Sequence, residues 1–181
     1  MNQCYIAYYV LINPNYKEPD LSNDESNIFV NIDPITNKSE AFRICSMLAE
    51  KDDPAALVNI GLMYSKGQGC QKDKSKAAEC FSRASSKGNQ DAQFNLGKLY
   101  DKGEGVSEDK NKAFTLYKSA ASQGNAEAQF NLGMMYEKGD GVKQDYKMAI
   151  KFYKKAADQN HYNALLNLGL MYYQGEGVQV N

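Results

Sequence analysis

The sequence predicts an all-α fold: a right-handed α-α superhelix (solenoid) of helix-turn-helix repeats of about 36 residues, with a short non-repeat N-terminal segment. The first observation is that the pattern Asn-Leu/Ile-Gly-x-x-Tyr returns at one fixed spacing, with its tyrosine at Tyr64, Tyr100, Tyr136 and Tyr172. The second is that apolar residues within each repeat are three and four positions apart, as on one face of an α-helix. The third is that Gly-x-Gly follows each tyrosine, which suits a turn between two helices.

The first 38 residues do not fit the repeat. Residues 5–12 and 28–32 are rich in Tyr, Ile and Val, which favour strands, and the stretch between them is polar and contains two prolines. Two strands alone are marginally stable. We therefore expect residues 1–38 to form short strands that cap the array, or to be partly disordered.

The array itself is predicted to begin in the middle of a repeat. Residues 39–52 would supply only a second helix, three full repeats follow at 53–88, 89–124 and 125–160, and residues 161–181 supply only a first helix. Each helix would have ~13 residues and depend on packing against its neighbours, because so short a helix is marginal alone. Terminal repeats normally carry a polar outer face. The half repeats at both ends therefore leave two alternatives open: a longer chain, or ends that pack on a partner, which includes end-to-end self-association of this chain.

Glycine and aspartate have predicted structural roles. Gly97, Gly133 and Gly169 lie in the middle of first helices, where glycine costs ~1 kcal/mol relative to alanine. We expect two helix backbones to approach closely there, against alanines such as Ala113. The aspartates in equivalent positions of the three full repeats are predicted to N-cap the second helices; they are Asp73, Asp109 and Asp145.

These residues resemble the Sel-one-like repeat family, relatives of the tetratricopeptide repeats. The pattern Ala-x-x-x-Leu-Gly-x-x-Tyr, Gly-x-Gly-Val, a capping Asp and Ala-x-x-x-Tyr-x-x-Ala-Ala is filled between Ala128 and Ala157, and the resemblance covers about residues 39–181. Phe81 departs from it in replacing a Tyr. The resemblance implies a scaffold or adaptor for protein complexes, with known settings in endoplasmic-reticulum-associated degradation, signalling and bacterial host interaction.

Composition limits the other function classes. A net charge of −1 gives no electrostatic footprint for nucleic acid, and no run of residues has the length and hydropathy for membrane insertion. Residues 4–12 have the length of a signal-peptide core but lack a preceding Lys or Arg. We expect a cytoplasmic protein, with the endoplasmic reticulum or secretion as the alternative if residues 4–12 act as part of a signal. Cys45, Cys70 and Cys80 occupy apolar slots of the repeat and are expected to be reduced thiols.

No catalytic, metal or cofactor site is predicted. The glycine turns follow a helix and lie beside acids, which is the wrong context for a phosphate-binding loop. His161, the only histidine, has the register of an exposed loop. We therefore predict that the protein is not an enzyme and has no cofactor.

The predicted binding site is the concave groove lined by the first helix of each repeat. The tetratricopeptide relatives place an Asn before Leu-Gly in that groove, where it can hydrogen-bond a peptide backbone. The structural alternative is an asparagine ladder that only ties neighbouring repeats together. The predicted contacts to a protein or peptide partner are Asn59, Leu62, Asn95, Lys98, Asn131, Met134, Asn167 and Leu170.

Two other functions remain open from the sequence. The array could be an interaction appendage of a larger enzyme, such as a protein kinase, whose catalytic domain lies elsewhere. A helical-repeat RNA binder is the less favoured alternative, because the sequence provides no basic groove.

Overall fold

The computed structural model describes residues 34–177, and within them it contains eight helices joined by short turns and no strand. The strands and the signal-like segment predicted in residues 1–33 lie outside the described residues. The helices are α1 (Pro34–Glu50), α2 (Pro54–Lys66), α3 (Lys74–Ser86), α4 (Gln90–Lys102), α5 (Lys110–Ser122), α6 (Ala126–Lys138), α7 (Tyr146–Ala157) and α8 (Tyr162–Gln174). Each helix packs on the next one in the chain, which confirms the predicted all-α solenoid.

The first described helix starts earlier than the repeat spacing indicates. Helix α1 begins at Pro34, whereas the spacing places the start of the half repeat at Ser39. A proline is well suited to the first turn of a helix, because the N–H that it lacks would have no partner inside the helix. The extra turn therefore follows from a signal that the repeat period does not contain.

The predicted helix ends are confirmed. The carboxylates of Asp73, Asp109 and Asp145 accept the backbone N–H three residues further on, at 3.0, 2.9 and 3.0 Å. At the other end of the first helices, Gly103 has a φ of 64° and its N–H donates to Leu99. A left-handed residue there satisfies a carbonyl that the helix leaves unpaired.

The core is a column of small and aromatic side chains between successive helices. Ala77, Ala113 and Ala149 are fully buried at equivalent positions of the second helices. Tyr117 and Tyr153 are also almost completely buried. Small residues on one side of each second helix let the helices approach closely enough to enclose these rings.

The glycines within the first helices make room for those rings. A Cβ on Gly97 would lie 2.8 Å from a ring carbon of Tyr117, and one on Gly133 would lie 2.5 Å from the ring of Tyr153. The expectation that these glycines meet a helix backbone and alanines such as Ala113 is therefore wrong, because the nearest atoms belong to the aromatic side chain of the next helix.

His161 is not the exposed loop residue that its register indicates. Its side chain is 9% exposed, and its Nδ1 accepts the N–H of Ala164 at 3.2 Å, so that it caps α8. Its ring stacks on Phe130 at 4.6 Å, and its Nε2 lies 3.3 Å from the carboxylate of Glu127. Asn89 and Asn125, at the equivalent positions of earlier repeats, are also N-caps. The larger imidazole of His161 caps α8 and also covers the ring of Phe130.

The cysteines of the described region lie in or beside the core. Cys45 is 2% exposed and belongs to the buried cluster of the first two repeats. Cys70 and Cys80 are half-buried thiols that pack against the same cluster, and burial raises the pKa of both. At neutral pH these two groups therefore behave as small apolar side chains.

Candidate functional site

The predicted row of asparagines is present, but its members have different surroundings. All four are half-buried on the first helices. Asn95 donates to the carbonyl of Asp91 on its own helix at 2.8 Å. Asn167 instead donates to the hydroxyl of Tyr153, on the second helix of the preceding repeat, at 3.1 Å. The row is therefore not a uniform ladder between first helices.

Asn167 belongs to an acid–tyrosine–asparagine cluster that joins three successive helices. The Tyr153 hydroxyl donates to the carboxylate of Glu137 on α6 and accepts the Asn167 amide of α8. Burial, followed by the hydrogen bond to Glu137, raises the pKa of Tyr153. The phenol is therefore neutral at ordinary pH and can donate to the carboxylate.

The same positions one repeat earlier are Asp101, Tyr117 and Asn131, and they surround a cavity. This cavity has a volume of about 180 Å³ and is also lined by Met134 and by Lys110. The ammonium group of Lys110 donates to the Asp101 carboxylate at 2.8 Å, which raises the pKa of the lysine. Burial, followed by the negative charge of Asp101, raises the pKa of Tyr117.

The first full repeat lacks this cluster. Ser65 stands in the slot of the acid and Phe81 in that of the tyrosine. A phenylalanine ring has no hydroxyl to offer Asn95, which explains why that asparagine bonds to its own helix. One residue type at one repeat position thus makes different contacts in different repeats.

The four side chains that are predicted to lie beside the asparagines also have different surroundings. Met134 lines the cavity with Asn131 and packs on the buried cluster formed by α7 and α8. Leu62 packs against the core of the first repeats, and Leu170 is 48% exposed on α8. Lys98 is exposed, and its ammonium lies 5.2 Å from the ring centroid of Phe94.

Two of the eight predicted residues, Asn131 and Met134, therefore meet in one cavity. Sequence reasoning missed the role of Asp101, Lys110 and Tyr117 around it. Asp101 and Tyr117 carried a signal, because an acid sixteen residues before a tyrosine returns as Glu137 and Tyr153. Lys110 carried none, since the equivalent residue of the next repeat is a tyrosine.

A larger, shallower recess of about 440 Å³ lies beside the turn before α7, and it contains none of the predicted residues. It is lined in part by Tyr136 and Met148. In the preceding repeat, Lys112 takes the slot of Met148 and places its ammonium 4.3 Å from the centroid of the Tyr100 ring. The recess therefore lies in the repeat where Met148 replaces this lysine.

The described residues contain neither a metal-binding cluster nor a membrane-spanning helix. Between residues 34 and 177, no group of three or more His, Cys, Asp or Glu side chains is arranged to hold a metal ion. None of the eight described helices is both long enough and apolar enough to cross a membrane.

A family model decides the identity of the array. The model described as Sel1 repeat matches residues 54–89, 90–125, 126–161 and 163–181. The chain belongs to the Sel1 repeat family. This match confirms the resemblance given by the sequence. Sel1 repeat proteins generally mediate protein–protein interactions, and their fold is typically a non-catalytic scaffold. A comparison with curated proteins gives no match.

Solved structures agree with this assignment. A Sel1 repeat protein from Oxalobacter formigenes is 34% identical over 79% of this chain, with a TM-score of 0.75. The protein c5321, a protective antigen of uropathogenic Escherichia coli with an SLR fold, is 38% identical over 80% of this chain, also with a TM-score of 0.75. The aligned part spans 57% of the first protein and 30% of the second. Cysteine-rich protein B of Helicobacter pylori shares the fold at 21% identity over 72% of this chain and 94% of its own, with a TM-score of 0.58.

Proposed function

We propose that this Sel1 repeat protein is a non-enzymatic scaffold or adaptor that binds a peptide or protein segment in the groove of its first helices. The cavity between Asn131 and Met134 is the main contact. Its combination of an apolar side chain, an amide and a neutral phenol suits an extended peptide, which offers both backbone polar groups and apolar side chains.

The observation that carries this proposal is the difference between Asn131 and Asn167. The side-chain amide of Asn167 already donates a hydrogen bond to the Tyr153 hydroxyl. Within the described part of the chain, the amide of Asn131 makes no side-chain hydrogen bond and instead lines the cavity beside Met134 and Tyr117. An amide beside an apolar surface can bind a peptide backbone group without first breaking an internal hydrogen bond.

The test is a peptide selection on the immobilised chain, followed by affinity measurement on variants. Met134→Lys is the informative variant, because Lys98 occupies the same slot one repeat earlier with its ammonium over Phe94. Phe130 is the equivalent ring, so the fold should accept the lysine. We expect selected peptides to bind this variant, and Asn131→Ala, at least about tenfold more weakly, a loss of ~1.4 kcal/mol.

The matched control is Lys118→Glu, which changes an exposed residue of the second helix α5. It should leave the affinity unchanged. Circular dichroism should show that all three variants keep the helical content of the parent chain. Selected peptides that bind Met134→Lys and Asn131→Ala as tightly as the parent would refute the groove assignment.

A further inference from the structure

Positive charge in this chain is concentrated on the second helices of two successive repeats. Helix α5 contains three lysines and α7 contains four, and neither helix contains an Asp or Glu. The first helices of the same repeats, α4 and α6, each carry two acids. A net charge of −1 therefore conceals a basic surface, which is densest on α7.

The four lysines of α7 form one exposed surface, which we call the lysine face. They follow one another at intervals of four, three and one residues, which places them on one side of the helix. The members of the lysine face are Lys147, Lys151, Lys154 and Lys155. The acids nearest in sequence, Asp145 and Asp158, stand at the two ends of α7, and Asp145 caps it. Across the described helices and turns, no carboxylate forms an ion pair with any of these four ammonium groups.

The fold does not need most of these lysines. In α5 the positions of Lys147, Lys151 and Lys155 are taken by neutral residues. Those residues are Asn111, Thr115 and Ser119. Helix α5 nevertheless has the same aspartate cap as α7 and buries alanine and tyrosine at the same positions. The lysine face is therefore an addition to the repeat and not a part of its packing.

The exposure of the lysine face is a property of the repeat. Helices α3 and α5 are each followed by both helices of another repeat, and they still expose the equivalent positions. These positions are Ser75, Glu79 and Ser82 in α3, and Asn111, Thr115 and Lys118 in α5. Further helices stacked on α8 would therefore leave Lys147, Lys151 and Lys154 open to a ligand.

We propose that the lysine face binds an acidic helix of a partner protein. The Cα atoms of Lys147, Lys151 and Lys154 are separated by ~6 and ~4.5 Å along the helix axis, at ~1.5 Å per residue. Acids at i, i+4 and i+7 of a second helix have the same spacing, so three ammonium–carboxylate contacts can form without bending either helix. The lysine face belongs to a second helix, so this proposal does not depend on the groove of the first helices.

The composition of the surface favours a protein over nucleic acid or a membrane. Sites for single-stranded nucleic acid combine basic residues with aromatic rings on which bases stack, and arginine recognises phosphate through paired N–H groups. Helices α5 and α7 contain no arginine, and every large hydrophobic side chain that is exposed in the described residues belongs to another helix. These two helices therefore also lack the apolar face with which a helix enters a lipid interface. Ammonium groups at helical spacing match carboxylates at the same spacing.

The probe is a pair of alanine-based helical peptides of about 20 residues with identical composition. The patterned peptide carries its glutamates at i, i+4, i+7 and i+11 on one face, and the scrambled peptide distributes them around the helix. Each peptide is titrated into the isotope-labelled 181-residue chain at about 20 mM salt, where exposed charges are weakly screened, and the amide signals of α7 are followed by NMR. We expect saturable shifts in α7 with the patterned peptide, at least about fivefold weaker binding of the scrambled peptide, and loss of both at about 0.5 M salt.

The decisive variant gives α7 the residues that α5 has at the same positions. It combines Lys147→Asn, Lys151→Thr and Lys155→Ser, and circular dichroism should show that it keeps the helical content of the parent chain. Its affinity for the patterned peptide should be about tenfold lower, because the variant loses three exposed ion pairs. The control removes the same net charge from exposed positions of other repeats and should keep the affinity within about twofold. It combines Lys66→Gln, Lys72→Gln and Lys102→Gln.

Four results would overturn the proposal. One is no shift of the α7 signals at peptide concentrations up to about 1 mM, which corresponds to negligible affinity. The second is equal binding of the patterned and scrambled peptides, because the surface would then respond to charge alone. The third is unchanged affinity in the decisive variant. The fourth is tighter binding, at the same salt, to phosphatidylcholine vesicles with about 30% phosphatidylserine or to a polyuridine strand of about 20 nucleotides, since the occupant would then be a membrane or a nucleic acid.

Discussion

Gly133→Ala tests directly whether the first-helix glycines make space for aromatic rings. The new Cβ would lie 2.5 Å from two ring carbons of Tyr153, closer than real side chains approach. The ring is fully buried, and its hydroxyl is bonded to Glu137 and Asn167. It cannot move away from α6 without weakening at least one of those bonds.

The expected loss of stability follows from opposing contributions. Alanine is better than glycine in a helix by ~1 kcal/mol. Against this, overpacking a close-packed core costs ~1–3 kcal/mol, and a weakened hydrogen bond costs ~0.5–1.5 kcal/mol. The free energy of unfolding should therefore fall by roughly 1–3 kcal/mol, although the substitution raises helix propensity.

Gly169→Ala is the matched control, because it makes the same change one repeat further on, where no ring is present. It should raise the free energy of unfolding by up to ~1 kcal/mol. Urea unfolding followed by circular dichroism would measure both variants, with unchanged slopes required, since repeat arrays can unfold in parts. If Gly133→Ala proves as stable as the parent chain, the ring does not fill that space and the packing described here is wrong.

Three further predictions concern the core, the phenols and the last cap. Leu132→Ala should reduce the free energy of unfolding by ~2–5 kcal/mol in the same assay, because it leaves a cavity at a fully buried site, and no loss would show that the repeat register is wrong. Burial raises the pKa of Tyr117 and Tyr153, so the unfolded chain should lose these protons at lower pH than the folded chain, and stability should fall above pH ~10. Urea unfolding measured from about pH 8 to ~11 should show a smaller fall for Tyr153→Phe than for the parent chain. An equal fall in both would contradict the contribution of Tyr153. His161→Ala should cost ~1 kcal/mol and speed amide exchange in α8, whereas His161→Asn should keep the cap, and equal behaviour of the two would contradict the capping role.

Local sequence signals predicted the parts of the fold that depend on near neighbours. The aspartate caps were predictable because the side chain bonds an N–H three residues away, and the glycine turns because they close a helix within the same repeat. The fixed repeat period then placed these units in a solenoid. None of these inferences needed a contact between distant residues.

Contacts across repeats were not predictable in the same way. The spacing assigned Tyr153 to the core but could not show that its hydroxyl joins Glu137 to Asn167. It gave Asn95 and Asn131 one role, although Asn95 bonds to its own helix and Asn131 lines a cavity. Their groove contacts remain a prediction. The repeat period shows which positions are equivalent, but the contacts at each position depend on residues at other positions of the repeat.

That dependence can be tested by transplanting the acid–tyrosine–asparagine cluster into the first full repeat. Phe81→Tyr alone should destabilise the chain by ~1–3 kcal/mol, because Ser65 replaces the acid and the new hydroxyl is buried in its slot. Ser65→Asp alone should cost ~0.3–1 kcal/mol, since it adds a negative charge near the C-terminal end of α2.

The double variant should recover stability, because the tyrosine can then donate to the aspartate while Asn95 lies in the slot of the second partner. A double-mutant cycle on urea unfolding should give a favourable coupling of ~1–2 kcal/mol between positions 65 and 81. Phe81→Tyr combined with Lys118→Glu, an exposed change in another repeat, should show additive effects. A coupling below ~0.5 kcal/mol would mean that the phenol–carboxylate contact adds no stability, and that the recurrence of acid and tyrosine in the middle repeats needs another explanation.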